Sequence, residues 1–506
     1  MILSRYCKIY PYKDNLFLLF STKKASKILI PKSMLKDIKR GNISEEEKET
    51  LVKLGFLVND FDEEKAEMLG FMDELNSINK NFSAILVMNL DCNLACKYCF
   101  EGSRKGKFYM TQKTADLFID FVKERCLSIN GHSGQKTMNR NPPSPPFSKG
   151  GKGGFDEIKI TFYGGEPLLS TELIIYISEK LKAIANRSSI NIGTPSPSPL
   201  PSREGSYERH SPLPWRERDR ERGSFCSNEK GITFSTSLIT NGTLLTPDVV
   251  SRLKPLGLKT ASVTLDGPKD VHDQFRPFKS GKGTFDLIVR NIKDVCDMIN
   301  VQIGGNFTKR NYKEFPRLLD YLIDNGLTPD KISYVKFDPV FRESEEFMQP
   351  DFHEGCVSIN EQWLFDAGIF LREAILRGGT HPCTSIRVAT DPLKRGFKTQ
   401  KITPAACMIE LKQNLVICYD GSIYKCPGVL GREMFCVGDL GSGIGDYKQS
   451  HNLDNYKNDE CLNCSYLPLC FGGCRYMKFI RDCDMNGVDC KKSFLDASLE
   501  QLVTVS

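Results

Sequence analysis

Three closely spaced cysteines are the residues of this chain best suited to chemistry. Cys92, Cys96 and Cys99 form a Cys-x3-Cys-x2-Cys run directly after the apolar residues 84–90. Cysteine thiolates bind the irons of a [4Fe–4S] cluster, which usually takes four of them. The next cysteine, Cys126, lies far along the chain, at the end of the following helical stretch. The run therefore predicts a cluster with one iron open to an outside ligand.

Two other uses of these cysteines agree less well with the sequence. A structural zinc site prefers four Cys or His ligands, and no fourth ligand lies near the run. Disulfides are typical of secreted proteins, and the first residues carry no secretory pattern. We therefore expect an iron–sulfur cluster at this loop.

The loop also resembles a known family. Residues 92–102, CNLACKYCFEG, are similar to the signature loop of radical S-adenosylmethionine (SAM) enzymes. The resemblance implies that SAM chelates the open iron and is cleaved to a 5′-deoxyadenosyl radical that abstracts a substrate hydrogen. It makes Cys92, Cys96 and Cys99 both catalytic and metal-ligating. It also implies that Phe100 packs against the adenine.

A second motif follows the next predicted strand. Gly164, Gly165, Glu166 and Pro167 match the family's motif for the methionyl amino group of SAM. Glycine allows the backbone to approach a ligand closely, and a carboxylate favours an ammonium group. The alternative is a tight turn with no ligand.

Polar residues also end the later predicted strands. Thr240 and Asn241 follow the third strand, Asp266 follows the fourth, and Asn306 lies at the end of the fifth. We expect them to bind the cofactor, with Asp266 as a catalytic candidate able to act as a base. Arg276 is a candidate for the methionyl carboxylate, because guanidinium binds carboxylate bidentately. An ordinary surface ion pair is the alternative for Arg276.

The C-terminal part of the chain carries a second series of cysteines. They are Cys407, Cys426, Cys461, Cys464, Cys470, Cys474 and Cys490. Their order and spacing resemble the SPASM domain, a twin-cluster extension of the radical SAM family. The resemblance assigns two auxiliary [4Fe–4S] clusters.

The resemblance also divides these cysteines between the two clusters. Cys407, Cys426 and Cys474 would bind the first cluster. The second would be bound by Cys461, Cys464, Cys470 and Cys490. The fourth ligand of the first cluster stays open among Cys383, Cys418, Cys436 and no cysteine at all.

Strand and helix patterns alternate from residue 84 onwards. The predicted strands cover residues 84–90, 157–163, 232–238, 259–265, 301–307 and 332–337. The predicted helices cover residues 111–125, 170–185, 246–256, 284–299 and 312–325. Such alternation predicts an α/β fold with parallel strands, and the resemblance implies a partial (β/α)6 barrel. A further helix, 359–376, falls in a bridge to the C-terminal unit.

Two low-complexity segments interrupt this alternation. Residues 131–154 and 187–230 are rich in Pro, Gly, Ser and Arg and poor in apolar residues. Such segments cannot offset chain entropy by burial, so we expect them to be disordered. Both fall between a helix and the next strand, which predicts passive insertions on the face away from the site.

The N-terminal residues predict a small α+β unit. Strand 15–20, helices 32–40 and 44–54, and strand 56–58 occur in a winged-helix-like order. Similar units in peptide-modifying radical enzymes bind a leader peptide by strand addition. A cap packed on the barrel is the alternative. The predicted organisation is thus 1–78 N-terminal unit, 79–340 core, 341–404 bridge, 405–492 SPASM domain and 493–506 tail.

Composition limits the remaining function classes. The chain has 506 residues, 19 cysteines and a net charge of +6. So mild an excess does not by itself indicate nucleic-acid binding, and no apolar run is long enough to span a membrane. We expect a cytoplasmic protein, because the sequence shows neither a spanning run nor a secretory pattern. Clustered cysteines in that compartment are typical of metal sites.

SPASM-bearing members of the radical SAM family mostly modify peptides or proteins, so we expect a radical SAM peptide maturase. The Phe-Glu-Gly sequence after Cys99 favours the geopeptide maturases among them. Its partners would be a leader-bearing precursor peptide and a reductant such as flavodoxin or ferredoxin. One alternative is an anaerobic sulfatase-maturating enzyme that forms formylglycine. Another is an iron–sulfur electron carrier without radical chemistry.

Overall fold

The computed structural model describes residues 1–99, 101–128, 155–188, 231–340, 362–376, 396–399, 402, 404, 407–482 and 484–505. Several predicted features lie outside the described residues. They are Phe100, Cys383, insertion residues 131–154 and 189–230, and most of the bridge.

The N-terminal unit contains the predicted strand, two helices and strand in that order, together with three strands and one helix that were not predicted. Its elements are β1 (Ile2–Leu3), β2 (Cys7–Tyr12), β3 (Leu16–Ser21), β4 (Lys27–Pro31), α1 (Lys32–Arg40), α2 (Glu45–Lys53), β5 (Leu57–Val58) and α3 (Phe61–Ile78). Strands β2, β3 and β4 form an antiparallel sheet, and β1 pairs with β5. The side chains of Ser44 and Glu47 form the capping box that starts α2.

This unit packs against the C-terminal part of the chain. Leu18 and Phe20 of β3 join a buried cluster with Tyr466, Leu495 and Leu499. A second cluster places α3 against the same region through Met68, Met72, Tyr456 and Phe471. The opposite face of the sheet is covered by its own helices α1 and α2.

Six parallel strands form the core and follow each other in the sheet in chain order. They are β6 (Asn81–Val87), β7 (Glu157–Tyr163), β8 (Thr233–Thr240), β9 (Leu258–Thr264), β10 (Asn300–Phe307) and β11 (Ile332–Pro339). The bounds of β7 are those predicted, and the other strands differ from prediction by at most three residues at either end. The predicted α/β class with six parallel strands is confirmed.

Helices connect these strands. They are α4 (Gln112–Ser128), α5 (Thr171–Ser188), α6 (Pro247–Leu253), α7 (Lys269–Phe275), α8 (Phe285–Val295) and α9 (Phe315–Asp324), with α10 (Gln362–Leu376) after β11. Alternate side chains of β7, such as Ile158, Ile160 and Phe162, are fully buried against this layer. Helix α5 runs two residues into the segment predicted as the second insertion.

The C-terminal unit extends the core sheet. Its elements are β12 (Asn414–Ile417), β13 (Ser422–Tyr424), β14 (Gly438–Asp439), β15 (Gly443–Ile444), α11 (Asp459–Leu462), α12 (Leu467–Cys470), α13 (Arg475–Asp482) and α14 (Lys492–Val505). Strand β12 pairs in parallel with β6, and β13 to β15 follow antiparallel, so the sheet has ten strands. Among the described helices, none combines the length and the apolar character needed to cross a lipid bilayer.

Candidate functional site

The cysteine loop leaves β6 and lies against two other segments of the core. Ala95 donates its N–H to the carbonyl of Pro277 at 2.8 Å. On another side, Gly165 donates its N–H to the carbonyl of Asn89 at 3.0 Å. The loop is therefore attached both to the turn after β7 and to the segment after β9.

Two glycines allow this close approach. Gly164 has a φ of 144°, and a Cβ there would collide with the carbonyl of Asn89. A Cβ at Gly165 would collide with the carbonyl of Asp91. We predicted that these glycines admit a ligand. The structure shows that they also seat the turn directly against the backbone of the cysteine loop.

Glu166 connects the ends of two strands. Its buried carboxylate accepts hydrogen bonds from the Leu168 N–H (3.0 Å), the Thr240 hydroxyl (2.8 Å) and the Asn241 N–H (2.8 Å). Burial raises its pKa, and these hydrogen bonds oppose the rise. Glu166 therefore anchors the Thr240–Asn241 turn.

The same turn reaches the first cysteine. The Asn241 amide donates to the side-chain oxygen of Asn93 at 2.8 Å and lies 3.7 Å from the Cys92 sulfur. Pro167 begins a short 3₁₀ turn directly after Glu166. The structure thus brings Glu166, Asn241 and Cys92 together, as expected for parallel strands that end at one edge.

A second network centres on Tyr98, which sequence reasoning missed. Its hydroxyl donates to the Asp266 carboxylate and accepts from Arg276 Nη1 at 2.8 Å and Asn306 Nδ2 at 3.1 Å. One signal was available, since Tyr98 is a hydroxyl-bearing aromatic inside the cysteine run, and such groups usually find a polar partner when packed. Tyr98 therefore ties the cysteine loop to the ends of β9 and β10.

Asp266 is fully buried and engaged on both oxygens. It accepts from the Asn306 N–H at 2.7 Å, and Arg276 Nη1 lies 3.7 Å away. Burial raises its pKa, while Arg276 and the hydrogen bonds lower it. The geometry supports Asp266 as the anchor of Arg276 and Asn306, and its catalytic role stays a prediction.

The Arg276 guanidinium links this network to the cluster loop. Burial raises the pKa of the Cys96 thiol, and the positive charge of Arg276 opposes the rise. Arg276 Nε has no hydrogen-bond partner among the described residues. A donor is thus left over for an anionic ligand beside Cys96.

His272 packs against the same region and contacts Asp266 and Thr284. Its Nδ1 accepts from the Asp266 N–H at 3.2 Å, and its Nε2 lies 3.1 Å from the Thr284 hydroxyl. That hydroxyl donates to the Arg276 carbonyl, so the proton of the imidazole is on Nε2. Burial lowers the pKa of His272 to about 3, which keeps the ring neutral.

The C-terminal cysteines act electrostatically on one another in two sets. Burial raises the pKa of Cys426 to about 12, and the nearby Cys474 and Cys407 add to the rise. Burial also raises the pKa of Cys470 to about 11, with Cys464 and Cys461 adding to it.

The seventh cysteine completes the second group. Burial raises the pKa of Cys461, and the neighbouring Cys464 and Cys490 add to the rise. The trio and the quartet are therefore two separate neighbourhoods, although the assignment of ligands stays a prediction.

The fourth ligand of the first group is not selected by the geometry. Cys418 lies at the turn of the β12–β13 hairpin, and Cys426 lies beyond its other end. In that register the two are about 13 Å apart along the strands. Cys436 places its sulfur 3.2 Å from the Gly438 carbonyl. Of Cys418 and Cys436, Cys418 is the less suitable fourth ligand, because it lies far from Cys426.

The donor sets fit iron–sulfur clusters. Within the described ranges, no three Cys, His, Asp or Glu side chains converge as ligands of a single metal ion. A cube of four irons holds its thiolates farther apart than one ion does, and thiolates are its usual ligands. The unpartnered Arg276 Nε and the glycine seat are consistent with SAM beside the Cys92 loop.

A model of the radical SAM superfamily matches residues 152–322. Residues 152–322 therefore resemble the radical SAM superfamily. The matched range contains the Gly164–Pro167 motif, Asp266, Arg276 and Asn306, while the cysteine run precedes it. This family uses a [4Fe–4S] cluster and SAM, which agrees with the predicted cofactors.

Two curated relatives resemble part of this chain. Mycofactocin maturase MftC of Mycolicibacterium smegmatis is 22% identical over 269 residues, which cover 51% of this chain and 62% of that protein. The cysteine-type anaerobic sulfatase-maturating enzyme of Clostridium novyi is 25% identical over 306 residues, covering 55% and 75%. The chain spans less than two thirds of the length of the first curated relatives it matches.

One solved structure supports the fold. Native anSMEcpe with bound AdoMet and the Kp18Cys peptide aligns with a TM-score of 0.51 and 15% identity. The alignment covers 84% of this chain and 99% of that structure. At this identity the likeness concerns the fold alone.

Proposed function

We propose that this protein is a radical SAM/SPASM maturase that modifies a ribosomally made peptide. The observation that carries the proposal is the meeting of the Cys92 loop, Glu166 and Arg276 at the carboxyl ends of six parallel strands. When bound, the cluster and SAM would supply one-electron cleavage of SAM and hydrogen abstraction from the substrate.

The chain's own residues would hold and orient these groups. Cys92, Cys96 and Cys99 would ligate the cluster, and the Glu166 anchor would keep the Asn241 turn beside it. Arg276, held by Asp266 and Tyr98, would offer its free Nε–H to a carboxylate. Burial of these groups excludes water and strengthens each electrostatic contact.

The N-terminal unit would bind the leader of the precursor peptide. In the sheet order β2-β3-β4, both β2 and β4 are edge strands, which can accept an added strand. The unit packs on the C-terminal cysteine region, so a leader bound there would bring its core peptide near the auxiliary cysteines.

The test is co-expression with small open reading frames that neighbour the gene. Mass spectrometry of each peptide is expected to show a modification with the wild type and none with Cys96→Ala. The matched control is Cys296→Ala, because Cys296 is a buried core cysteine in no predicted cluster. An unmodified peptide in every wild-type sample would contradict the proposal.

The sulfatase-maturating alternative has the Clostridium novyi relative in its favour. Formation of formylglycine in a sulfatase-derived peptide would establish it. A protein that never forms 5′-deoxyadenosine after anaerobic reconstitution and reduction would instead be an electron carrier.

A further inference from the structure

One carboxylate beside the cysteine loop has no use in the site described so far. Glu101 follows Cys99 by two residues, and only 5% of it is exposed. Neither of its carboxylate oxygens has a hydrogen-bond partner among the described residues. Glu166 and Asp266, which are fully buried, accept hydrogen bonds from donors of this chain. An unpaired buried carboxylate is costly, so its partner is expected to come from a ligand.

The two nearest cations do not fill this role. Arg104 and Lys105 lie close enough for their charges to act on Glu101. Arg104 donates to the Leu430 carbonyl of the C-terminal unit, and Lys105 lies close enough to Cys99 for the sulfur to raise the pKa of Lys105. Burial raises the pKa of Glu101 to about 7, and these two cations oppose the rise without donating a hydrogen bond to its oxygens.

Glu101 lies where the cysteine loop meets the C-terminal unit. Its charge and that of Cys99 both act on the phenol of Tyr163, the last residue of β7. Tyr163 packs in the buried cluster that contains Cys426 and Leu430. Glu101 is thus between the loop predicted to bind SAM and the first auxiliary group.

This position differs from that of Asp266 and Asn306, two of the residues predicted to act in the SAM site. They stand at the ends of β9 and β10, whereas Glu101 lies near the end of β7. β7 and β9 are two strands apart in the sheet, or about 10 Å. The Gly164–Pro167 motif, predicted to bind the methionyl amino group, also follows β7, so SAM is the alternative partner of Glu101.

We propose that Glu101 binds the peptide substrate, accepting hydrogen bonds from an amide N–H or an ammonium group next to the reacting residue. The inference rests on the proposed function. SAM also carries N–H and O–H donors, and the test separates the two sources.

The experiment compares Glu101→Gln with the wild type on the peptide found by co-expression. We expect the KM for the peptide to rise at least tenfold, because the amide loses the charge and one acceptor oxygen, while the KM for SAM changes far less. Glu101→Asp is expected to recover part of the peptide affinity. Iron content of each variant checks that the loop is intact.

Glu157→Gln is the matched control. Glu157 starts β7, whose last residue is Tyr163, and accepts a hydrogen bond from Ser235 at the opposite end of the strand. Unchanged peptide KM in Glu101→Gln would overturn the inference, as would an equal rise in the KM for SAM. If the wild type modifies no peptide, the proposed function fails and this inference fails with it.

Discussion

Tyr98 shows how one hydroxyl organises several predicted site residues. Asp266, Arg276 and Asn306 lie in separate stretches of the sequence, and all three are hydrogen-bonded to the Tyr98 hydroxyl. A hydrogen bond to a charged group contributes about 1.5–3 kcal/mol. The geometry of the site therefore depends on Tyr98, a residue that is not predicted to bind a ligand.

Replacing Tyr98 by Phe should weaken this network. We expect the free energy of unfolding to fall by about 1–3 kcal/mol, because the charged Asp266 and Arg276 lose a shared partner. Urea denaturation under anaerobic conditions measures the change. Tyr109→Phe is the control, since its exposed hydroxyl donates to Asp91 at 2.7 Å and should contribute less. Equal effects would contradict the role of Tyr98.

His272 makes the fold sensitive to acid. The ordinary pKa of histidine is about 6.5, and burial lowers that of His272 to about 3. Between these values the unfolded chain binds a proton that the folded chain does not, so stability is lost as the pH falls from about 6.5 toward 3.

The slope of this loss is the measurement. We expect His272 to contribute up to about 1.4 kcal/mol per pH unit below its ordinary pKa. His272→Gln should therefore show a shallower fall in unfolding free energy between about pH 6 and about pH 5. His451, which also has a lowered pKa, is present in both proteins and cancels. Parallel curves would show that His272 is not the cause.

At the scale of elements, the turn after β7 is shaped by the loop it supports. Gly165 has no room for a Cβ because the Asp91 carbonyl occupies that space. The hydrogen bond from the Gly165 N–H to Asn89 depends on this approach. The glycines thus position the cysteines that they neighbour in space.

Gly165→Ala should therefore disturb the cluster site. We expect the iron content attributable to the Cys92 loop to fall at least tenfold, because the turn must move away from Asp91. Iron analysis and electron paramagnetic resonance of the reduced protein test this. Gly304→Ala in β10 is the control, since the nearest atom to its Cβ would be 3.9 Å away. Full iron loading of Gly165→Ala would contradict the argument.

At the scale of the whole molecule, a buried ion pair lies where three units of the protein meet. Arg475 and Glu410 pair within the C-terminal unit, and both are almost fully buried. The Glu410 carbonyl accepts from the Asn76 amide of α3 at 2.9 Å. Glu410 itself precedes β12, which pairs with β6 of the core.

Removing one partner should be costly. We expect Arg475→Met to lower the free energy of unfolding by about 3–5 kcal/mol, because Glu410 would be left as an unpaired buried charge. Arg252→Met is the control, since its pair with Glu172 is exposed and such pairs contribute about 0–1 kcal/mol. Chemical denaturation measures the loss of unfolding free energy in both variants, and similar losses would contradict the argument.

The two insertions each connect a helix to the next strand of the core. α4 ends at Ser128 and β7 begins at Glu157, while α5 ends at Ser188 and β8 begins at Thr233. Both segments therefore join the barrel at the amino ends of strands, opposite the site. Deleting residues 131–154 and 189–230 should leave iron content and 5′-deoxyadenosine formation within about twofold of the wild type. Loss of either would show that a segment contributes to the site.

Local patterns determined much of this protein. The alternation in residues 157–163 predicted β7 with its observed bounds, and Ser44 with Glu47 predicted the start of α2. The sequence also predicted Glu166 and Asn241 as cofactor-binding residues after two different strands, and parallel strands end at one edge of a sheet. These features depend on neighbours in the chain, where periodicity and spacing carry the information.

Only the tertiary structure decided the contacts between distant segments. It pairs β12 with β6, gathers three site residues around Tyr98, and leaves Glu101 buried without a hydrogen-bond partner among the described residues. It also packs the N-terminal sheet on the C-terminal unit. The relative placement of elements decides these contacts, and it depends on packing over hundreds of residues rather than on any local pattern.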